Sequence, residues 1–237
     1  MLRLESETHF DLSRFTLFTD AVVAIAITLL ALELSVPETE NFSFGNIFEA
    51  WPHFLAFLLS FIIIGVFWKI HYQFFTYIGK VDERMIGLNM MWLFGIILLP
   101  FSTNLMSEHL LNGPATIFYS ANVFFVSFIQ NLIWDYACDT FKFYPGNKTQ
   151  RTTQSLLKEN VSQKTEMFFR LACNVHWINA AIALVVAFFS PLLAMLILFT
   201  RIILFRSTAV QWIERSLRKQ RGKQGSDEKK DTNSPTE

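Results

Sequence analysis

A stretch near the start of the chain, from Arg14 to Leu34, is long and apolar enough to cross a lipid bilayer as a helix. Between Leu17 and Leu32 its single charged residue is Asp20. A carboxylate at this depth costs about 2.5–3.5 kcal/mol on insertion scales, so it normally faces protein or water rather than lipid. The stretch is therefore predicted to be a membrane-spanning helix in which Asp20 needs a partner.

This first helix is predicted to have two different faces. Projected at about 100° per residue, Ile25, Leu29 and Leu32 fall within about 60° of one another, and Thr28 lies at the edge of their row. We call these three residues the aliphatic stripe. Asp20 lies about 140° from Ile25 on the same projection. The stripe and the acid are thus expected to face different neighbours.

The rest of the chain continues the membrane character of its first helix. Hydrophobic residues make up 52% and charged residues 17% of the sequence, whereas soluble domains carry about 25% charged residues. Five further apolar runs follow, at about Phe54–Ile78, Met85–Met106, Ala115–Ala137, Met167–Phe189 and Leu192–Ile213. We predict an all-α membrane protein with six transmembrane helices, the last two forming an antiparallel hairpin. Residues 1–213 would form the transmembrane domain, and residues 214–237 a charged, disordered cytosolic tail.

The distribution of basic residues predicts the orientation of these helices. The loops after helices one, three and five contain no Lys or Arg, whereas the other loops and both ends of the chain are basic. By the positive-inside rule, both termini are then cytosolic. Arg201 is an exception because it lies inside the last apolar run. It is expected to have an acidic or a carbonyl partner.

Polar residues of the second and third helices are candidates to meet Asp20. Trp68 and His71 lie three residues apart, on one face of helix two, near its predicted cytosolic end. Asp20 lies at a similar depth in helix one, which predicts a direct or water-bridged contact. Asn89 lies about one turn into helix three.

These residues carry a resemblance to a known family. The pattern Arg14-x-x-x-Phe18-Thr19-Asp20, followed by Ala24-Ile25-x-x-Thr28-Leu29, resembles the opening signature of the transmembrane protein 175 family. Thr19 replaces the serine of that signature and keeps the hydroxyl. The similarity continues through Trp68-x-x-His71, Asn89 and Leu99-Pro100-Phe101. It covers residues 14–106; beyond them it depends on the number and topology of the helices.

The resemblance implies a potassium-selective cation channel of the prokaryotic, single-repeat type, in the cell membrane. Such a channel has no re-entrant filter loop, forms a homotetramer in lipid, conducts K⁺ and needs no cofactor. Its central pore is lined by the first helix and gated by stacked aliphatic rings. Carried over by position, the rings are Ile25, Leu29 and Leu32, and Thr28 is a candidate for selectivity. The network that would position helix one comprises Arg14, Phe18, Thr19, Asp20, Trp68 and His71. Glu33 could add a negative ring at the outer mouth.

Other functions remain open at this point. A proton-coupled secondary transporter could use Asp20 and His71 as its proton site, although the first helix lacks the Gly or Pro breaks that are common in transporters. The stripe could also be ordinary packing. An enzyme is disfavoured because no nucleophile–base pair, metal motif or nucleotide loop is recognisable. Asn174, His176 and Asn179 fit interhelical hydrogen bonds better than a metal site. Nothing suggests nucleic-acid binding.

Overall fold

The fold is an all-α bundle, as predicted. The computed structural model describes residues 10–32, 34, 50–109, 112–138, 156–159 and 161–204. The helices in these residues are α1 (Leu12–Leu32), α2 (Trp51–Tyr77), α3 (Glu83–Glu108), α4 (Gly113–Ala137), α5 (Gln163–Ala187) and α6 (Pro191–Leu204). In the same residues, extended backbone pairs at an isolated bridge between Ile78 and Leu157.

Short sequence signals explain where several helices begin. Pro52 and Pro114 lie in the first turns of α2 and α4, where a missing N–H costs nothing. The side chain of Asp82 caps α3 by accepting a hydrogen bond from the Met85 backbone N–H at 2.8 Å. Ser162 caps α5 in the same way, through the N–H of Thr165.

Helices α1 to α5 are long and apolar enough to cross a membrane, and the protein is an integral, multi-pass membrane protein. The sixth helix is described as far as Leu204. Its predicted continuation to Ile213 and the predicted tail, residues 214–237, lie outside the described residues. The cytosolic location of both termini stays a prediction.

Successive helices pack against each other, and α1 packs on α2 and α3. α3 and α4 approach each other closely at Gly95, where an added Cβ would lie 2.5 Å from Cγ2 of Val126. Polar side chains cross the same part of the bundle. Thr103 of α3 donates to Ser60 of α2 at 2.6 Å, and Ser60 lies 2.9 Å from the hydroxyl of Tyr119 in α4. Hydrogen bonds between these hydroxyls thus link α2, α3 and α4.

The prediction of an acidic or carbonyl partner for Arg201 was wrong. No carboxylate or carbonyl of the described residues pairs with its guanidinium. Instead, Nη1 donates to Oγ of Ser127 at 2.9 Å, and the guanidinium carbon lies 4.4 Å from the centre of the Phe67 ring. A hydroxyl group and the face of an aromatic ring therefore take the place of the predicted acidic or carbonyl partner.

Candidate functional site

One face of α1 packs against other helices of the same chain. Phe15, Thr19, Val23, Ala26 and Leu30 are buried, and they recur every three or four residues along the helix. Since α1 contacts α2 and α3, these residues form the packed side of the helix. The small Ala26 and the β-branched Val23 allow the close fit.

The opposite face of α1 is uncovered. Ile25 is 58% exposed, Leu29 38% and Leu32 78%. Thr28, beside them, is also exposed, and its hydroxyl donates to the backbone carbonyl of Ile25 at 2.8 Å. The aliphatic stripe therefore lies outside the apolar core of the chain. Its role as a gate stays a prediction.

Asp20 is attached to α2 rather than turned toward the stripe. The indole N–H of Trp68 donates to its carboxylate Oδ1 at 2.9 Å. A hydrogen bond to an ionised acceptor is stronger than a neutral one. This is the direct contact that matching depths in the two helices predicted. It fixes the start of α1 to the carboxy-terminal half of α2.

A second connection reaches α1 from the buried side. Asn89 of α3 donates through Nδ2 to Thr19 Oγ1 at 2.8 Å, and its Oδ1 lies 2.9 Å from Nε2 of His71. Thr19 in turn donates to the carbonyl of Phe15. The amide oxygen of Asn89 can only accept a hydrogen bond, so Nε2 of His71 must carry the proton and donate it. The imidazole also stacks on Trp92, with ring centres 4.3 Å apart.

Asn89 is the member of this site to which the sequence assigned no role. Its side chain links His71 to Thr19, and all three are buried. The available signal was an amide in an otherwise apolar run, at a depth similar to that of His71. An amide can donate and accept at once, which suits a position between a hydroxyl and an imidazole.

The structure brings together four of the six residues of the predicted network. Arg14 and Phe18 are exposed, and neither side chain forms a hydrogen bond or ion pair with another described residue. Glu33, the outer-mouth candidate, lies outside the described residues. The functional roles of all these residues remain predictions.

Polar residues of α5 make contacts between helices. The side-chain amides of Asn131 in α4 and Asn174 in α5 meet at 2.8 Å, while Asn179 donates to the carbonyl of Ile197 and to Thr200 in α6. Within the described part of the chain, no group of three or more His, Cys, Asp or Glu side chains could hold a metal ion. Asn174 and Asn179 thus follow the expectation of interhelical hydrogen bonds, whereas the buried Nδ1 of His176 has no hydrogen-bond partner among the described residues.

Comparison with known proteins finds a family model that matches part of the chain. The family model described as endosomal/lysosomal potassium channel TMEM175 matches residues 14–100. A potassium channel of Streptomyces collinus is 37% identical over 107 residues, which are 44% of this chain and 51% of that protein. A potassium channel of Chamaesiphon minutus is 28% identical over 163 residues, 66% of this chain and 80% of the relative. The chain thus spans about half the length of the first relative and most of the second.

Two further matches are a protein named as a proton channel and a solved crystal structure. The endosomal/lysosomal proton channel TMEM175 of Gallus gallus is 36% identical over 138 residues, 51% of this chain and 27% of that protein. The crystal structure of a lysosomal potassium-selective channel TMEM175 homolog from Chamaesiphon minutus has a TM-score of 0.68 at 24% identity. It covers 82% of this chain and 95% of the solved one, so the two share a fold.

That family consists of ion channels, not enzymes. Residues 14–100 therefore match the TMEM175 family model, and the chain shares the fold of a solved TMEM175 homolog.

Proposed function

We propose that the chain is a potassium-selective cation channel, assembled as a homotetramer, with α1 lining a central pore. The observation that carries the proposal is the division of α1 into two faces. One face is packed and hydrogen-bonded to α2 and α3, while Ile25, Leu29 and Leu32 stay exposed. Two of the relatives are named potassium channels. Because α2 and α3 hold one side of α1, its exposed side can face a symmetry axis.

Stacked aliphatic rings can act as a gate. Four copies of the stripe would form rings about 10 Å in total height, from the rise of seven residues. When such a constriction is narrow it loses its water and blocks ions, and a small dilation or rotation of α1 readmits water.

Selectivity would favour the ion that gives up its water more easily, which is K⁺ rather than Na⁺. Thr28 could assist beside the rings. Its hydroxyl hydrogen is engaged by the carbonyl of Ile25, so the lone pairs of its oxygen stay available to a cation. A ring of Glu33 carboxylates at the outer mouth would concentrate cations.

The test compares two isoleucines of similar exposure. Ile25→Asn should raise the leak of K⁺ from liposomes, because a polar ring retains water when it is narrow. Ile182 on α5 is 51% exposed and α5 packs on α4 and α6, so Ile182→Asn serves as the matched control. Reversal potentials in asymmetric KCl and NaCl then give the preference for K⁺. Equal leak in the two variants would count against the gate.

Proton transport is the second candidate, because several relatives, among them the Gallus gallus protein, are named proton channels. A proton-coupled transporter would use Asp20 and His71. In the structure these residues bind different partners, Trp68 and Asn89, and are not bonded to each other. Proton flux that stops with Asp20→Asn, and that is coupled in fixed ratio to K⁺ movement, would favour the transporter.

A further inference from the structure

Arg201 is the charged residue that the transmembrane function leaves unexplained. It lies on α6 with 1% exposure, and it is the one fully buried Lys, Arg, Asp or Glu among the described residues. Its Nε and Nη2 groups have no hydrogen-bond partner in that part of the chain. An intramembrane charge is costly, so a residue of this kind is a candidate for a functional role.

The contacts of Arg201 join three helices. Its Nη1 donates to Ser127 of α4 at 2.9 Å, and its guanidinium lies over the ring of Phe67 in α2 at 4.4 Å. Stacking on an aromatic face requires the planar guanidinium, and such a contact is strongest where water is excluded. Arg201 thus holds α6 against one particular turn of α2.

That turn of α2, Phe67–His71, also carries both connections to α1. Trp68, the neighbour of Phe67, donates to Asp20, and His71 reaches Thr19 through Asn89. We call Phe67–His71 the hub turn. Any shift of the hub turn within the bundle moves Trp68, the partner of Asp20, and also His71, which bonds the Asn89 that donates to Thr19.

A second contact fixes the hub turn from the same side. Gln130 of α4 donates through Nε2 to the backbone carbonyl of Phe67 at 2.9 Å. Gln130 and Ser127 lie three residues apart and so on the same face of α4. Arg201 and Gln130 therefore hold opposite ends of one residue, its ring and its carbonyl.

We propose that Arg201 is a positioning residue for the pore helix: its guanidinium holds the hub turn of α2, which in turn sets the placement of α1. This inference rests on the proposed channel function. It gives the carboxy-terminal hairpin, α5 and α6, a route by which its own position influences the gate.

The test is a double-mutant cycle on K⁺ flux through reconstituted protein. Arg201→Met removes the charge and the planar group at similar length, and Trp68→Phe removes the indole N–H. Each should raise basal flux, by about fivefold or more, because a loosened α1 lets the rings dilate. The double variant should not exceed the larger single effect, since both act through one turn. Arg201→Lys, which keeps the charge but cannot stack as a plane, should resemble Arg201→Met.

The control breaks a different interhelical bond. Asn174→Leu removes the α4–α5 hydrogen bond without touching the hub turn, so its effect on flux should multiply with that of Trp68→Phe. Independent, multiplicative effects of Arg201→Met and Trp68→Phe would overturn the inference. If Arg201→Met does not fold, Ser127→Ala removes the hydrogen-bond acceptor of Nη1 and should show the same coupling to Trp68→Phe.

A readout without conduction separates this inference from the proposed function. Absent K⁺ flux in the wild-type protein would contradict the channel and leave the hub turn to be tested by chemistry. The rate at which a charged thiol reagent modifies Ile25→Cys reports the position of α1. Arg201→Met should change that rate by about fivefold, and an unchanged rate would overturn the role of Arg201.

Discussion

At the scale of single residues, Thr19 shows how one hydroxyl supports the site. It donates to the carbonyl of Phe15 and accepts from Nδ2 of Asn89, which in turn meets His71. All of these side-chain groups are buried, so no water can replace a missing partner. A buried polar group without a partner costs about 1–3 kcal/mol.

Thr19→Val should therefore destabilise the protein by about 1–3 kcal/mol, because the amide of Asn89 loses its acceptor while the side-chain volume is kept. Thr19→Ser retains the hydroxyl and serves as the control, with a smaller loss from the missing methyl group. The measurement is the midpoint of thermal unfolding in detergent. If the valine variant is as stable as the serine variant, the hydrogen bond from Asn89 contributes nothing.

Residue contacts could be predicted from the sequence only in part. The pairing of Asp20 with Trp68 follows from depth, because both lie near the predicted cytosolic ends of adjacent helices. The role of Asn89 could not be read, since a single amide in an apolar run does not reveal which neighbours it faces. The partners of Arg201 come from α2 and α4. Which side chains of these helices face Arg201 depends on how each helix is rotated about its axis. That rotation is set by packing and cannot be read from the sequence.

At the scale of helices, the contact between α3 and α4 depends on a missing side chain. A Cβ at Gly95 would lie 2.5 Å from Cγ2 of Val126 and 3.0 Å from Cδ1 of Phe125. The first distance is well inside van der Waals contact, so one helix would have to move. At Gly87, on the same helix, a Cβ would meet nothing within 4 Å.

Gly95→Ala should destabilise the bundle by about 1–3 kcal/mol through overpacking. Gly87→Ala should be neutral or stabilising by up to about 1 kcal/mol, because alanine is the better helix former. Thermal unfolding of the two variants compares the same chemical change on one helix. A similar loss in both would indicate that helix propensity, and not the α3–α4 contact, sets the effect.

The existence of the helices was predictable, and their boundaries nearly so. Apolar runs predicted the second helix from Phe54, whereas α2 begins at Trp51 because Pro52 suits a first turn. The fifth begins at Gln163, earlier than the predicted Met167, since Ser162 caps it ahead of the apolar run. Polar capping residues extend a helix beyond the part that hydropathy detects.

At the scale of the whole molecule, the exposed aliphatic stripe is the feature that supports the proposed assembly of several copies of the chain. Sequence similarity to the family covers residues 14–100, while the shared fold covers 82% of the chain. The shared fold thus extends beyond the residues that the family model matches. The order of the carboxy-terminal helices was predictable from hydropathy, but the contacts of α4 and α6 with the hub turn were not.

The most direct measurement is chemical modification of the stripe during K⁺ conduction. In a background of Cys138→Ser and Cys173→Ala, Ile25→Cys and the matched Ile182→Cys are exposed to a charged, water-soluble thiol reagent in planar bilayers. The account predicts that the reagent blocks the K⁺ current of Ile25→Cys and leaves that of Ile182→Cys unchanged. Current through Ile25→Cys that persists after complete modification of the thiol would contradict the placement of α1 around the pore.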